Sequence, residues 1–279
     1  MATPGPDVET ARRLIATVAA APSSLRRLGA GEDCVIYLAD EEWAYRFPQA
    51  PEMADQIRAE IAILPHLQSL PVPVPLPERV GVMEGEHSSP FFGYRLLRGS
   101  FLSDVEISRP EPVLAQLWAF LDALHDTPYQ PPFDLAKGYA EDPLRSIPHP
   151  TAQAVLGFFE ANPLPAVASR LCHNDMGMEH VLMDPERGRL TGIIDWGDMT
   201  WTDPAVDWVG MVWSFPDVLE AQQGRSQPDR VARAWLHGLR FGLMHCQEQL
   251  DMGRSEDEMG PIWAVLQRRL ERARRSPVF

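Results

Sequence analysis

The stretch from Leu171 to Asp198 constrains this chain more than any other part of it. Leu171-Cys172-His173-Asn174-Asp175-Met176-Gly177-Met178-Glu179-His180 reads as a loop. Val181-Leu182-Met183-Asp184 reads as a strand, 185–189 as a polar tight turn, and Leu190 to Asp195 as a second strand ending in carboxylates. A hairpin returns its far end to the place where it began. Asp195 is therefore expected beside the loop that holds Asp175 and His180, so that two carboxylates and an imidazole converge at one mouth. Such a set suits phosphoryl transfer. One carboxylate orients a hydroxyl and takes its proton, while other ligands hold Mg²⁺ against phosphate oxygens. A carboxylate is a hard ligand suited to that ion.

The remaining pattern frames this hairpin. Residues 7–20 read as a surface helix, since Asp7 and Glu9 precede Arg12 and Arg13 and the apolar stretch after them is short. Leu25 to Leu38 reads as strand, glycine turn, strand, and Trp43 to Phe47 as another strand ended by Pro48. Pro51 suits the first turn of a helix running to about Leu64. Pro71-Val72-Pro73-Val74-Pro75-Leu76-Pro77 is an extended connector, because alternating prolines fit neither helix nor central strand. Val80–Met83 and Phe91–Leu97 read as a β-hairpin. Leu114, Leu117, Leu121 and Leu124 recur at helical spacing, and 151–161, 204–223, 228–250 and 256–274 read as further helices. Residues 128–150, rich in proline and aromatics, read as a long loop. The expectation is an α+β, two-lobe chain. Residues 1–99 form a small β-rich lobe and 100–279 a larger, mostly helical one. A nucleotide fits a cleft between two such lobes, near the linker residues Leu96 and Leu97.

Composition excludes several classes. The formal net charge of −14 argues against a nucleic-acid binder, which needs surplus Lys and Arg, and suits a cationic ligand. Cys34, Cys172 and Cys246 are far apart and odd in number, so neither a zinc site nor a disulfide framework is indicated and a cytoplasmic location fits. No apolar run approaches the length of a membrane span.

His173-x-Asp175-x4-His180, followed by Ile193-Ile194-Asp195-Trp196-Gly197-Asp198, resembles the aminoglycoside phosphotransferase family, which has a protein-kinase-like fold. His180, where that family usually has Asn, is similar to its 2''-O-aminoglycoside and macrolide branches. The resemblance implies that Asp175 is the catalytic base and that His180 and Asp195 bind the metal. Thr202-Asp203-Pro204-Ala205-Val206-Asp207 resembles the segment after the metal-binding strand, where Asp207 would brace the catalytic loop. His173 fits a loop-holding role too. Leu121-Asp122-Ala123-Leu124-His125 resembles the family's Leu-x-x-Leu-His helix end. Tyr45-Arg46-Phe47-Pro48 resembles its nucleotide-contacting strand, and Glu60 with Leu64 its following helix. Lysine is usual where Arg46 stands. Lys137 is the only lysine in the chain, so the phosphate contact falls to Arg46. The resemblance covers about residues 25–210.

Other residues admit two readings. Gly29 and Gly31, in Leu28-Gly29-Ala30-Gly31-Glu32-Asp33, either cover phosphates with backbone N–H groups or make a plain hairpin turn. Asp198 either touches metal or acceptor, or caps a turn. Asp251 and Glu256 belong to an acidic cluster that is either a solvated helix boundary or, as the resemblance implies, a site for ammonium groups. Trp235 belongs to an apolar set that would suit a greasier acceptor, and His237 and His245 fit packed helix positions. The implied function is transfer of the γ-phosphoryl of ATP or GTP to a hydroxyl of a small-molecule acceptor, first a cationic aminoglycoside antibiotic, by a monomer or weak dimer. A macrolide phosphotransferase, a metabolite kinase and a nucleotide-binding protein without kinase activity remain open beside it.

Overall fold

A computed structural model of the protein describes residues 5–31, 33–84, 88–129, 144, 147–222 and 227–279. Glu32, Lys137, the hairpin tip at 85–87 and most of the expected loop at 128–150 lie outside the described residues. The chain forms two compact units that interleave along the sequence. The first takes segments within Met1–Val105, Asp122–Leu135 and Glu179–Asp198, and the second the rest. No helix among the described residues is long and apolar enough to cross a membrane.

The first unit is built on an antiparallel sheet of β1 (Leu25–Ala30), β2 (Cys34–Ala39), β3 (Trp43–Pro48), β4 (Arg79–Met83) and β5 (Ser89–Arg95), in the order β1-β2-β3-β5-β4. Strand β3 is central, and all six of its residues are buried. Successive side chains of a strand point to opposite faces. Trp43, Tyr45 and Phe47 join Val35, Tyr37, Phe91 and the α1 (Val8–Ile15) residues Ala11 and Ile15 in one core. Arg46 lies on the other face, towards α2 (Ala54–Ile63). That alternation decides where the one charge of β3 goes. Gly93 pairs with Tyr45, and a Cβ there would meet the Tyr45 ring at 2.5 Å, so only glycine lets the ring lie flat on β5. Helix α2 ends one residue before Leu64-Pro65 and continues as a 3₁₀ turn, Leu64–Leu67.

The same unit contains a second small sheet. Its members are β6 (Ser100–Phe101), β8 (Val181–Asp184) and β9 (Arg189–Ile193). Asp184 Oδ1 accepts from the N–H groups of Glu186 and Arg187, and Gly188 supplies the φ of +58° that the turn needs. The expected hairpin is thus present, with its register running from Val181↔Ile193 to Asp184↔Arg189.

The second unit is mainly helical. It carries most of α3 (Glu111–His125), then α4 (Pro150–Ala161), α5 (Val209–Ser214), α6 (Pro216–Gln222), α7 (Pro228–Asp251) and α8 (Glu256–Arg274). A two-stranded pair, β7 (Arg170–Cys172) with β10 (Thr200–Thr202), completes it. The sequence pattern suggests one helix over 204–223, whereas the chain makes a 3₁₀ turn at Pro204–Trp208 and two short helices. Pro216 explains the break, because proline removes the helical N–H and clashes with the preceding turn. The α8 start is a capping box: Ser255 Oγ accepts from Glu258 N–H, and the Glu258 carboxylate accepts from Ser255 N–H at 2.9 Å. Ser255→Ala is expected to cost about 1 kcal/mol, read as a lower midpoint in urea denaturation with unchanged slope.

Candidate active site

The site residues fall in both units, and each half has its own geometry. In the first unit, Arg46 holds two carboxylates. Its Nε lies 3.0 Å from Glu60 Oε1, with the two side chains 6% and 1% exposed. Its Nη2 donates to Asp195 Oδ1 at 3.0 Å. The Nε–Oε1 approach is an ion pair with poor hydrogen-bond direction, and neither atom has a hydrogen-bond partner among the described residues. Burial pushes the Glu60 carboxyl up to about 7, against the pull of Arg46. Arg46 is itself buried; burial opposes its charge, but Glu60 foremost among its neighbours holds it firmly protonated.

Asp195 is the exposed member of this set, and its backbone has φ +64°. Two contacts fix that conformation. Ile194 N–H donates to His180 O at 3.0 Å, and the fully buried Trp196 donates Nε1–H to Ile193 O at 3.0 Å. His180 Nε2 then lies 3.8 Å from Asp195 Oδ2. The hairpin therefore brings His180 and Asp195 together. Asp198 follows on the same segment and is partly buried. Leu97 packs where a Cβ on Gly192 would reach its Cδ1 at 2.9 Å, and Leu96 N–H donates to Glu42 O. Gly29 and Gly31 are exposed, with nothing within 4 Å of an added Cβ, so their backbone does not require glycine for space.

In the second unit the loop after β7 is clamped from below. Asp207, fully buried, accepts from the backbone N–H of His173 at 3.1 Å and of Asn174 at 2.7 Å. Asn174 adopts φ +68°, which asparagine tolerates better than most residues. His173, Asn174 and Met176 are buried, and Asp175 between them is exposed. The sharp turn at Asn174 thus turns one carboxylate out of a buried segment. A second support comes from α5: a Cβ on Gly210 would stand 2.3 Å from Met176 O. Backbone against backbone at that distance admits no side chain.

Asp207 is placed by a turn that Asp203 opens. Asp203 Oδ1 accepts from Ala205 N–H at 2.9 Å, with Pro204 following as the first residue of the turn. Its Oδ2 takes Arg233 Nε and His237 Nε2, each at 2.9 Å. Burial would raise the Asp203 carboxyl, but the His237 and Ala205 hydrogen bonds and the Arg233 charge hold it below its ordinary value. Sequence reasoning missed this clamp, the left-handed Asn174 and the role of Gly210. Asp-Pro is a turn-opening signal that could have marked Asp203. Nothing local marks Gly210.

The residues expected on the acceptor side are scattered in kind. Trp235 is 1% exposed and donates to Glu220, while Asp251 at the end of α7 and Glu256 at the start of α8 are exposed. Four described non-glycine residues have positive φ, and two of them are Asn174, in the loop after β7, and Asp195, just past the end of β9. Rare backbone conformations concentrate where function holds them.

Comparison with protein families matches residues 24–244 to the phosphotransferase enzyme family. No match was found among curated proteins. Among solved structures, the GDP complex of wild-type aminoglycoside 2'-phosphotransferase-IIIa is similar, with a TM-score of 0.74 at 23% identity, covering 94% of this chain and 97% of that one. An ADP-bound aminoglycoside phosphotransferase gives 0.63 at 16%, covering 96% and 99%. Macrolide 2'-phosphotransferase type I gives 0.62 at 20%, covering 93% and 96%. The α+β fold is thus of the kinase-like type shared by these enzymes. The chain belongs to the phosphotransferase enzyme family and is a phosphotransferase that acts on a hydroxyl group.

Proposed function

We propose that this protein transfers the γ-phosphoryl group of ATP or GTP to a hydroxyl of a small cationic antibiotic of the aminoglycoside kind. The observation that supports this best is Asp175, an exposed carboxylate on a loop whose backbone is pinned to buried Asp207. Asp175 orients the acceptor hydroxyl and takes its proton, while Asp207 and His173 keep the loop in place. Residues 1–99 form the nucleotide lobe and 100–279 the catalytic and acceptor lobe. On the nucleotide side Arg46, fixed by Glu60, serves the phosphates, and Gly29, Gly31, Leu96 and Leu97 serve the same nucleotide. On the acceptor side Asp198, Asp251 and Glu256 offer carboxylates to ammonium groups, and Trp235 acts from within the helical core.

The family chemistry implies Mg²⁺. His180 Nε2 and Asp195 Oδ2 stand 3.8 Å apart, about 0.8 Å more than two adjacent ligands of one octahedral ion, a gap that a small side-chain rotation closes. The residues present therefore fit the ion. When bound, it would neutralise charge on the phosphate oxygens. The acceptor class rests on the acidic net charge of −14 and on the aminoglycoside enzymes among the similar structures. A macrolide acceptor is the second reading, favoured by the similar macrolide enzyme.

The test is a panel of aminoglycosides, macrolides and hydroxylated metabolites incubated with protein, Mg²⁺ and either nucleotide, with products identified by mass spectrometry. Phosphorylation of an aminoglycoside is expected. Transfer to macrolides alone selects the second reading, and no transfer to any acceptor overturns both. A paired glycine substitution probes the loop. Gly210→Ala should push Met176 O aside, cost roughly 1–3 kcal/mol and lower kcat. Gly157→Ala, in α4 with nothing within 4 Å, should instead stabilise by about 0.5–1 kcal/mol and leave kcat alone. Thermal melts and steady-state rates of the two variants check the contrast.

A further inference from the structure

We propose that helix α7 sets the position of Asp175 through a relay of part-buried and buried hydrogen bonds, with His237 and Arg233 as positioning residues. Only the kinetic part of this proposal rests on Asp175 being the base. The relay starts on one stripe of α7, where Arg230, Arg233 and His237 follow one another at helical spacing. Arg233 Nε and His237 Nε2 both reach Asp203 Oδ2 at 2.9 Å, and the side chains of Arg233, His237 and Asp203 are 11%, 4% and 12% exposed. Arg230 lies over the ring of Trp208, its guanidinium carbon 4.8 Å from the ring centroid. Three consecutive members of the stripe thus grip both ends of the turn 203–208.

The next links are inside that turn. Asp203 Oδ1 holds Ala205 N–H at 2.9 Å, and Asp203 O accepts from Val206 N–H at 3.1 Å. Asp207 comes next in the chain. Its carboxylate oxygens hold the backbone of His173 and Asn174. Asp175 is the following residue. A rotation or shift at Asp203 therefore has one rigid route to Asp175, through a turn too short to absorb it. A turn-opening aspartate alone needs only its own backbone partner, and water could satisfy its second oxygen. Here that oxygen is held, largely out of solvent, by two donors from one helix. Charge-assisted bonds in a buried network are stronger and stiffer than their exposed counterparts. That stiffness matters because misplacing a reacting group by about 1 Å can cost a hundredfold in rate.

Amide hydrogen exchange on the full chain tests the relay without any acceptor. In His237→Leu and Arg233→Met, exchange at His173 and Asn174 is expected to accelerate by about tenfold or more, with the sheet β1–β5 unchanged. His237→Gln can still donate to Asp203 and should retain most of the protection. If either apolar variant fails to fold, His237→Asn and Arg233→Gln, which shorten the donors, serve in its place. Exchange at His173 and Asn174 equal to wild type, in variants whose melting temperature has fallen, would show that α7 merely packs on the turn and would overturn the proposal. On an accepted substrate the apolar variants should lower kcat about tenfold while KM for the nucleotide stays within about twofold. Unprotected amides with no transfer on any acceptor would support the relay and sink the assigned reaction, so the two failures are distinct.

Discussion

Asp175→Asn is expected to lower kcat by about a thousandfold on any accepted substrate, with KM for the nucleotide nearly unchanged. Asparagine keeps the shape of the side chain and can still accept a hydrogen bond from the acceptor hydroxyl. It cannot take the proton. In a loose phosphoryl-transfer transition state most of the catalysis is positioning and charge stabilisation, so the loss should be large but not total. Asp175 is exposed, and the turn beside it is held through the backbone N–H groups of His173 and Asn174. The substitution should therefore move stability by no more than about 0.5 kcal/mol. Steady-state kinetics together with a thermal melt check both halves of the statement. Full turnover in the variant would remove Asp175 from the role of base.

The sequence made some parts of this molecule legible for identifiable reasons. The 181–193 hairpin announces itself through an apolar strand, an Asp-Pro-Glu-Arg-Gly turn and a second apolar strand. The sheet β1–β5 was similarly readable, because Pro48 and Pro51 punctuate it and β-branched and aromatic residues fill it. The capping box at Ser255 carries a local signature as well. What was illegible depends on distant partners. The pair β7–β10 is three residues long on each strand, too short to show a period. The 204–222 segment has helical composition, and only Pro216 hints at its break. Arg46 reads as a strand residue for phosphate, yet its buried partnership with Glu60 and Asp195 is made by tertiary packing. Gly210 is an ordinary helical glycine until Met176 O is found against it. The Asp203 clamp joins residues 30 and 34 positions apart, beyond any local pattern.

Asp207→Ala should injure the protein in a different way from Asp175→Asn. Asp207 is fully buried, and its two oxygens accept the N–H groups of His173 and Asn174. Removing the carboxylate takes that acceptor from two buried donors, each worth about 1–3 kcal/mol when left unsatisfied. The expected loss of stability is therefore roughly 3–5 kcal/mol, a large share of the 5–15 kcal/mol typical of folded domains. It should be read as a fall of several degrees in melting temperature. Activity should fall too, because the loop that presents Asp175 loses the groups that define its turn. Asp207→Asn tests the electrostatic part separately. It keeps the volume and one acceptor but points an N–H₂ at a backbone donor, so its cost should lie between wild type and alanine. The pairing of effects is the discriminating observation. Asp175→Asn should lose turnover and keep the fold, whereas Asp207→Ala should lose both together. If Asp207→Ala melts with wild type and exchanges its His173 and Asn174 amides no faster, the carboxylate is not what holds the loop.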